Sequence, residues 1–124
     1  MKHVSILIPQ GHISLVNVEG THQIFSQVND FLKSRGKTSL FKVELVSAVQ
    51  ENYLGNGRFR VMPDKNIGEV KKTDLIIIPA VHGDQKEVQQ LNQELTPWII
   101  RQYKEGAEIV SFCIGAFFLA STGL

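Results

Sequence analysis

Apolar positions along the chain fall into two rhythms, and the switches between them mark out the elements. Val4-Ser-Ile-Leu-Ile8 is short, almost continuously apolar and ended by Pro9-Gln-Gly11. That pattern suits a strand buried on both faces of a parallel sheet, so it is placed centrally. From Val18 the spacing becomes three and four, with Val18, Thr21, Phe25, Val28 and Leu32 on one stripe. This predicts a helix packed on the sheet, with Asn17 as its N-cap and Gly36 as its stop. Leu40 to Val46 alternates, Phe41, Val43 and Leu45 facing one way and Lys42 and Glu44 the other. An edge strand with one wet side is expected there. Gly55-Asn-Gly57, followed by Arg58-Phe-Arg-Val61 and Pro63-Asp64, reads as a turn within a short excursion hairpin.

Leu75-Ile-Ile-Ile78 is the strongest strand signal, ended by Pro79, and belongs in the centre of the sheet. Asp84 with Glu87 three residues on has capping-box spacing, and Val88, Leu91 and Leu95 continue a helical stripe. Pro97 would break that helix, whereas Thr96 as N-cap with Pro97 at the first helical position opens a second one, through Trp98, Ile99 and Tyr103 to Gly106. Ala107 to Phe112 reads as a further buried strand, running through Cys113-Ile-Gly115 into a tightly packed helix over Ala116 to Ala120. Strand, helix, strand, hairpin, strand, helix, strand, helix is the order of an α/β three-layer sandwich with right-handed crossovers.

The 124 residues suit one domain. With 43% apolar and 20% charged residues the composition is that of a globular chain, and disorder is excluded. The net charge of +1 gives no overall reason to wrap nucleic acid or lie on an anionic membrane. Residues 31 to 72 carry nine basic and four acidic side chains, a bias that a solvated face explains. One cysteine, Cys113, excludes an internal disulfide and a multi-cysteine zinc site. With no charged leader and no apolar run long enough for a bilayer, a cytoplasmic protein without membrane contact is expected. Histidines at 3, 12, 22 and 82 lack ligand-like spacing, so no metal is expected. Gly11 stands alone after the first strand without a G-x-G-x-x-G pattern, which leaves a dinucleotide or flavin binder little support and no cofactor expected.

In an open parallel sheet, ligands bind outside the carboxyl ends of the strands. Three segments converge there: Pro9-Gln-Gly-His12 with Asn17, Pro79-Ala-Val-His-Gly83, and Ser111-Phe-Cys-Ile-Gly115. The last has the strand-turn-helix form of a nucleophile elbow, with a small residue two positions past the nucleophile to relieve crowding. A helix N-terminus at that point favours the thiolate of Cys113. The bland alternatives are a small buried hydrophobe for Cys113 and solvated loop residues for His12 and His82.

Ser111-Phe-Cys-Ile-Gly-Ala-Phe-Phe-Leu-Ala-Ser-Thr-Gly-Leu124 resembles the cysteine-elbow segment of the DJ-one/PfpI-like branch of the class I glutamine amidotransferase-like superfamily. More narrowly, it resembles the version that forms the N-terminal domain of AraC-type transcriptional regulators. The likeness extends through the Val4 to Pro9 opening, the Leu75 to Pro79 strand and the Trp98 to Gly106 helix. It implies a flavodoxin-like, mostly parallel sheet spanning residues 1–124, a Cys113 nucleophile where activity is retained, and Ile114 N–H as an oxyanion donor. Gly11, His12, Asn17, Ala80, Val81, His82 and Gly83 are the implied ligand-binding positions.

Three departures bear on activity. Where catalytic members have an acidic residue that hydrogen-bonds the cysteine, this chain has Asn17, and an amide cannot act as a carboxylate base. Glu19 is no substitute, since two residues along a helix point about 200° apart. Where the enzymes have Gly-Gly after the third-strand proline, leaving backbone N–H groups open as an oxyanion hole, this chain has Ala80-Val81. The family's histidine partner follows the elbow helix, beyond Leu124.

The resemblance therefore implies a catalytically degenerate regulatory domain that senses a small-molecule effector and forms homo-oligomers. DNA would be reached only through a C-terminal helix-turn-helix region absent from this sequence. The 124 residues would then be the N-terminal part of a longer chain, with the sheet incomplete at its C-terminal side or completed by a second chain. The alternative is a PfpI-like cysteine enzyme, a hydrolase, lyase or glyoxalase-type catalyst, acting on a small molecule through Cys113.

Overall fold

A computed structural model describes residues 1–49, 52–54 and 58–124, with the side chains of 52–54 left aside. Its centre is a five-stranded parallel sheet. The strands are β1 (Lys2–Leu7), β3 (Phe41–Ser47), β6 (Lys65–Asn66), β7 (Leu75–Ile78) and β9 (Glu108–Ser111), in the order β6-β3-β1-β7-β9. Two short antiparallel pairs stand apart from it: β2 (His12–Ile13) with β8 (Val81–His82), and β4 (Asn52–Leu54) with β5 (Phe59–Val61). The latter pair is the hairpin expected from the sequence; its turn, Gly55-Asn-Gly57, lies outside the described residues.

β1 and β7 sit side by side inside the sheet, Val4 opposite Leu75 and Ile6 opposite Ile77, as their apolar runs require. The sheet is covered on both faces. Val4, Ile6 and Ile77 pack with Val18 of α1 (Leu15–Ser34) and Val88 of α2 (Gln85–Leu91). Leu7, Ile76 and Ile78 pack with Leu95, Trp98 and Ile99 of α3 (Leu95–Lys104) and Phe118 of α4 (Gly115–Ser121). Alternate residues of the same strands thus feed two cores. This is the α/β layered architecture with a mostly parallel sheet that the element order implies. No helix among the described residues is long and apolar enough to cross a membrane.

Five local expectations need correction. Helix α1 starts at Leu15, and its N-cap is Ser14, whose hydroxyl accepts the Asn17 N–H at 3.4 Å. Asn17 lies inside the first turn, leaving its side chain free for another task. Helix α3 starts at Leu95 with Glu94 at the cap position and no side-chain cap bond. Pro97 therefore falls in the first turn, where its missing N–H costs nothing, and Thr96 is not the cap. Helix α2 ends at Leu91, which is 52% exposed, so the stripe passes to Leu95 only across a helix break.

β3 is not the edge strand expected, since β6 pairs on its outer side, and Glu44, expected on a wet face, is only 8% exposed because His3, Lys42 and Lys65 converge on it. Finally, β9 is not buried on both faces. Val110 is 42% exposed and Phe117 of α4 is 57% exposed, since β9 is the last strand in the sheet order and pairs only with β7 among the described residues.

Candidate functional site

The three loops expected to converge at the carboxyl ends of the strands do so, and the bonds that hold them can be named. After β1, Gly11 adopts φ 115°, and a Cβ there would stand 3.1 Å from Val81 Cγ1. A side chain at this position would be both strained and crowded. The turn delivers His12–Ile13 to pair with Val81–His82, His12 opposite His82 and Ile13 opposite Val81. Ile13 and Val81 are buried while His12 and His82 are exposed. The small ladder thus keeps strand alternation, apolar side in and imidazoles out. The two rings meet edge to face, centroids 6.1 Å apart. Gly83, at φ 110°, turns the chain away, and the Gln85 amide donates to the Val81 and Gly83 carbonyls at 3.0 and 3.1 Å.

Asn17 closes the gap between α1 and the β7–β8 turn. Its Oδ1 accepts the Ala80 N–H at 3.1 Å, while the Ala80 carbonyl accepts the Ser14 N–H at 2.8 Å. Ala80 and Val81 are both almost fully buried. Their side chains belong to the packing under the loop, and the Ala80 N–H already has its acceptor.

The elbow follows β9. Phe112 N–H donates to the Ile78 carbonyl at 2.9 Å, and Cys113 then takes φ 49°, the one positive φ at a non-glycine among the described residues. A left-handed backbone at such a residue costs roughly 1–2 kcal/mol and is kept only where the surroundings enforce it. Gly115 shows what enforces it: a Cβ there would lie 2.8 Å from the Pro79 carbonyl oxygen and 3.0 Å from that of Ile78. The backbone of the elbow rests directly on the end of β7, and only glycine permits that approach. Cys113 itself is exposed. Among the described residues the Ile114 N–H has no hydrogen-bond acceptor, whereas Gly115 N–H bonds the Phe112 carbonyl at 2.8 Å.

Sequence reasoning missed the residues that fasten these loops. Asn92 is buried between α2 and α3, where its amide bridges both backbone groups of Gln10, at 2.6 and 2.9 Å, and the Val88 carbonyl at 2.8 Å. Its only sequence signal is an asparagine at a helix C-terminus, which reads as a cap. Ser14 was overlooked because Asn17 offered a second acceptable cap. Surface grooves lie elsewhere, one lined by Lys86, Gln89, Gln93, Pro97 and Ser121 and another by Met62, Asp64, Lys65 and Glu69. No group of three or more metal-ligating side chains occurs among the described residues.

The main electrostatic cluster joins β1, β3 and β6. Glu44 lies 2.5 Å from His3 Nε2, 3.2 Å from Lys42 Nζ and 3.4 Å from Lys65 Nζ, while His3 Nδ1 meets the Lys72 carbonyl at 3.0 Å. Burial alone would raise the Glu44 carboxyl, but the hydrogen bonds from Lys42 and His3 outweigh it and hold the group below its ordinary range. Asp74 is held down chiefly by the His3 backbone N–H, at 2.8 Å. These contacts tie three adjacent strands of the sheet together.

The arrangement of sheet and helices recurs in solved structures. A Vibrio parahaemolyticus protein described as a "putative transcriptional regulator protein" superposes with a TM-score of 0.81 at 22% identity, over 99% of this chain and 62% of that one. The chain has the DJ-1/PfpI fold. A ThiJ/PfpI family protein from Pseudomonas syringae shares that fold at TM-score 0.76 and 14% identity, over 99% of this chain and 46% of its own. Drosophila melanogaster DJ-1beta does so at 0.64 and 18%, over 99% and 61%. The chain thus spans less than two thirds of each of these DJ-1/PfpI-fold structures. No protein-family model and no curated protein matches its sequence.

Proposed function

We propose that this DJ-1/PfpI-fold chain is a regulatory domain, sensing a small molecule and pairing with a second copy, in an AraC-type DNA-binding transcription regulator. On this reading the protein is bacterial and cytoplasmic, and DNA recognition belongs to a C-terminal helix-turn-helix region outside this sequence. The observation that carries it is the bond between Asn17 Oδ1 and Ala80 N–H. An amide that cannot take up a proton stands where the enzymes of this fold use an acid, and it occupies the backbone N–H that an oxyanion would need. The likeness to the Vibrio protein supports the same reading.

A second reading, a PfpI-like cysteine enzyme acting on a small carbonyl compound, a modified amine or an isonitrile, draws on the exposed, left-handed Cys113 and the open Ile114 N–H. One experiment separates the two. Small molecules that raise the melting temperature are incubated with the chain and with Cys113→Ser, and products are followed by mass spectrometry. The regulatory reading expects saturable stabilisation in both proteins and no turnover; product formation that Cys113→Ser abolishes establishes the enzyme. The regulatory reading also expects no salt-sensitive, sequence-specific gel shift from these 124 residues.

A further inference from the structure

The four histidines lack ligand spacing in sequence, yet the fold brings two of them, seventy residues apart, directly opposite one another. We propose that His12 and His82 form a two-imidazole clamp for a late first-row divalent ion of the zinc, nickel or copper type. Imidazole nitrogen suits these ions, whereas magnesium and calcium prefer an all-oxygen shell.

The geometry is quantitative. A ligating imidazole nitrogen stands about 2.0–2.1 Å from such an ion and the ring centre roughly 1.1 Å further back, so two rings can share one ion only if their centres lie within about 6.4 Å. His12 and His82 lie at 6.1 Å. At that separation the nitrogen–metal–nitrogen angle would be roughly 150°. The rings now meet edge to face, so ligation needs a χ rotation that turns one nitrogen of each ring toward the ion. Both side chains are exposed, which leaves them free to make it and to reach the separation of about 5 Å that tetrahedral ligation needs.

The backbone beneath them is fixed more firmly than an exposed pair requires. Buried Ile13 and Val81 anchor the inner side of the ladder, Gly11 and Gly83 set the turns at its ends, and the Gln85 amide ties down Val81 and Gly83. While the ladder is closed these contacts set its backbone, so ion binding has chiefly the two side-chain rotamers to order. With two protein ligands the remaining coordination positions stay open to water or to donor atoms of an exogenous molecule. The inference rests on the histidine ladder alone, so it stands or falls independently of the regulatory and enzymatic readings.

The test is a calorimetric titration of the chain with zinc chloride, with His12→Ala, His82→Ala, His22→Ala and Cys113→Ser alongside and circular dichroism confirming that each is folded. One ion should bind per chain, either ladder variant should weaken it by about tenfold or more, and His22→Ala and Cys113→Ser should bind as the parent does. The proposal is overturned if no binding is seen up to about 1 mM ion, if His12→Ala and His82→Ala retain the parent affinity, or if only Cys113→Ser loses it.

Discussion

At Cys113 and Gly115 two residues share one problem, a turn too sharp for ordinary side chains. Gly115→Ala would drive a Cβ to 2.8 Å from the Pro79 carbonyl oxygen, a backbone atom that cannot swing away. Overpacking of this kind costs about 1–3 kcal/mol, and urea denaturation should show the midpoint falling with an unchanged slope. Cys113→Gly should do the opposite, since glycine adopts φ 49° without the left-handed penalty; a gain of up to about 1 kcal/mol is expected from the same measurement. Asn17→Ala leaves the buried Ala80 N–H without its acceptor and should cost about 1–3 kcal/mol, whereas Asn17→Asp retains an acceptor and should lose much less. The sequence made the elbow readable, because a lone cysteine two residues before glycine after an apolar run is a local pattern. The role of Asn17 was not readable: its partner is 63 residues away, and nothing near it in the chain distinguishes a cap from a long-range hydrogen bond.

Among the elements, β1 and β7 could be placed from their apolar runs alone, since the four and three consecutive buried positions they carry suit a strand covered on both sides. Exact helix starts were less readable, because Ser14 and Asn17, or Glu94 and Thr96, each present an acceptable beginning and tertiary burial of residues such as Leu95 decides between them. Asp84 was unambiguous, and its carboxylate accepts the Lys86 and Glu87 N–H groups at 2.9 and 3.2 Å. Asp84→Ala should cost about 1 kcal/mol in thermal unfolding.

The β1–β3 pairing carries a pH signature as well. The Glu44 carboxyl is held below its ordinary value in the folded chain, so the unfolded state binds its proton first as the medium is acidified. Its stabilisation is therefore complete above that value and lost as pH falls through the folded one. Melting temperatures followed down an acid series should drop in that window, and Glu44→Gln should flatten the drop while lowering stability at neutral pH. His3 and Lys65, arriving from strands on either side, explain why alternation misjudged the face: period two assigns a side chain to a side, but only the neighbouring strands decide whether that side is wet.

Over the whole molecule, order and layers followed from the sequence because each element's periodicity was strong, while the edges did not, since an edge is defined by what fails to pair with it. The outer side of β9 has no partner among the described residues, and Val110 and Phe117 stand exposed beside it. An apolar, unpaired edge of this kind promotes association. Light scattering on the 124-residue chain should show concentration-dependent self-association that Val110→Lys reduces.

The ladder joining His12–Ile13 to Val81–His82 carries a consequence for how the molecule comes into being. Its two strands each pair over only two positions, yet the chain between them includes α1, β3 and β7. Closing so long a loop costs entropy that so few contacts cannot repay. The ladder can form only once β1 and β7 are already aligned, so the crevice is assembled last on the folding route and is the first part to open again. Native-state hydrogen exchange would then find the amide of Ser14, which bonds the Ala80 carbonyl across the ladder, exchanging through local openings while those of Ile6 and Ile77 wait for global unfolding.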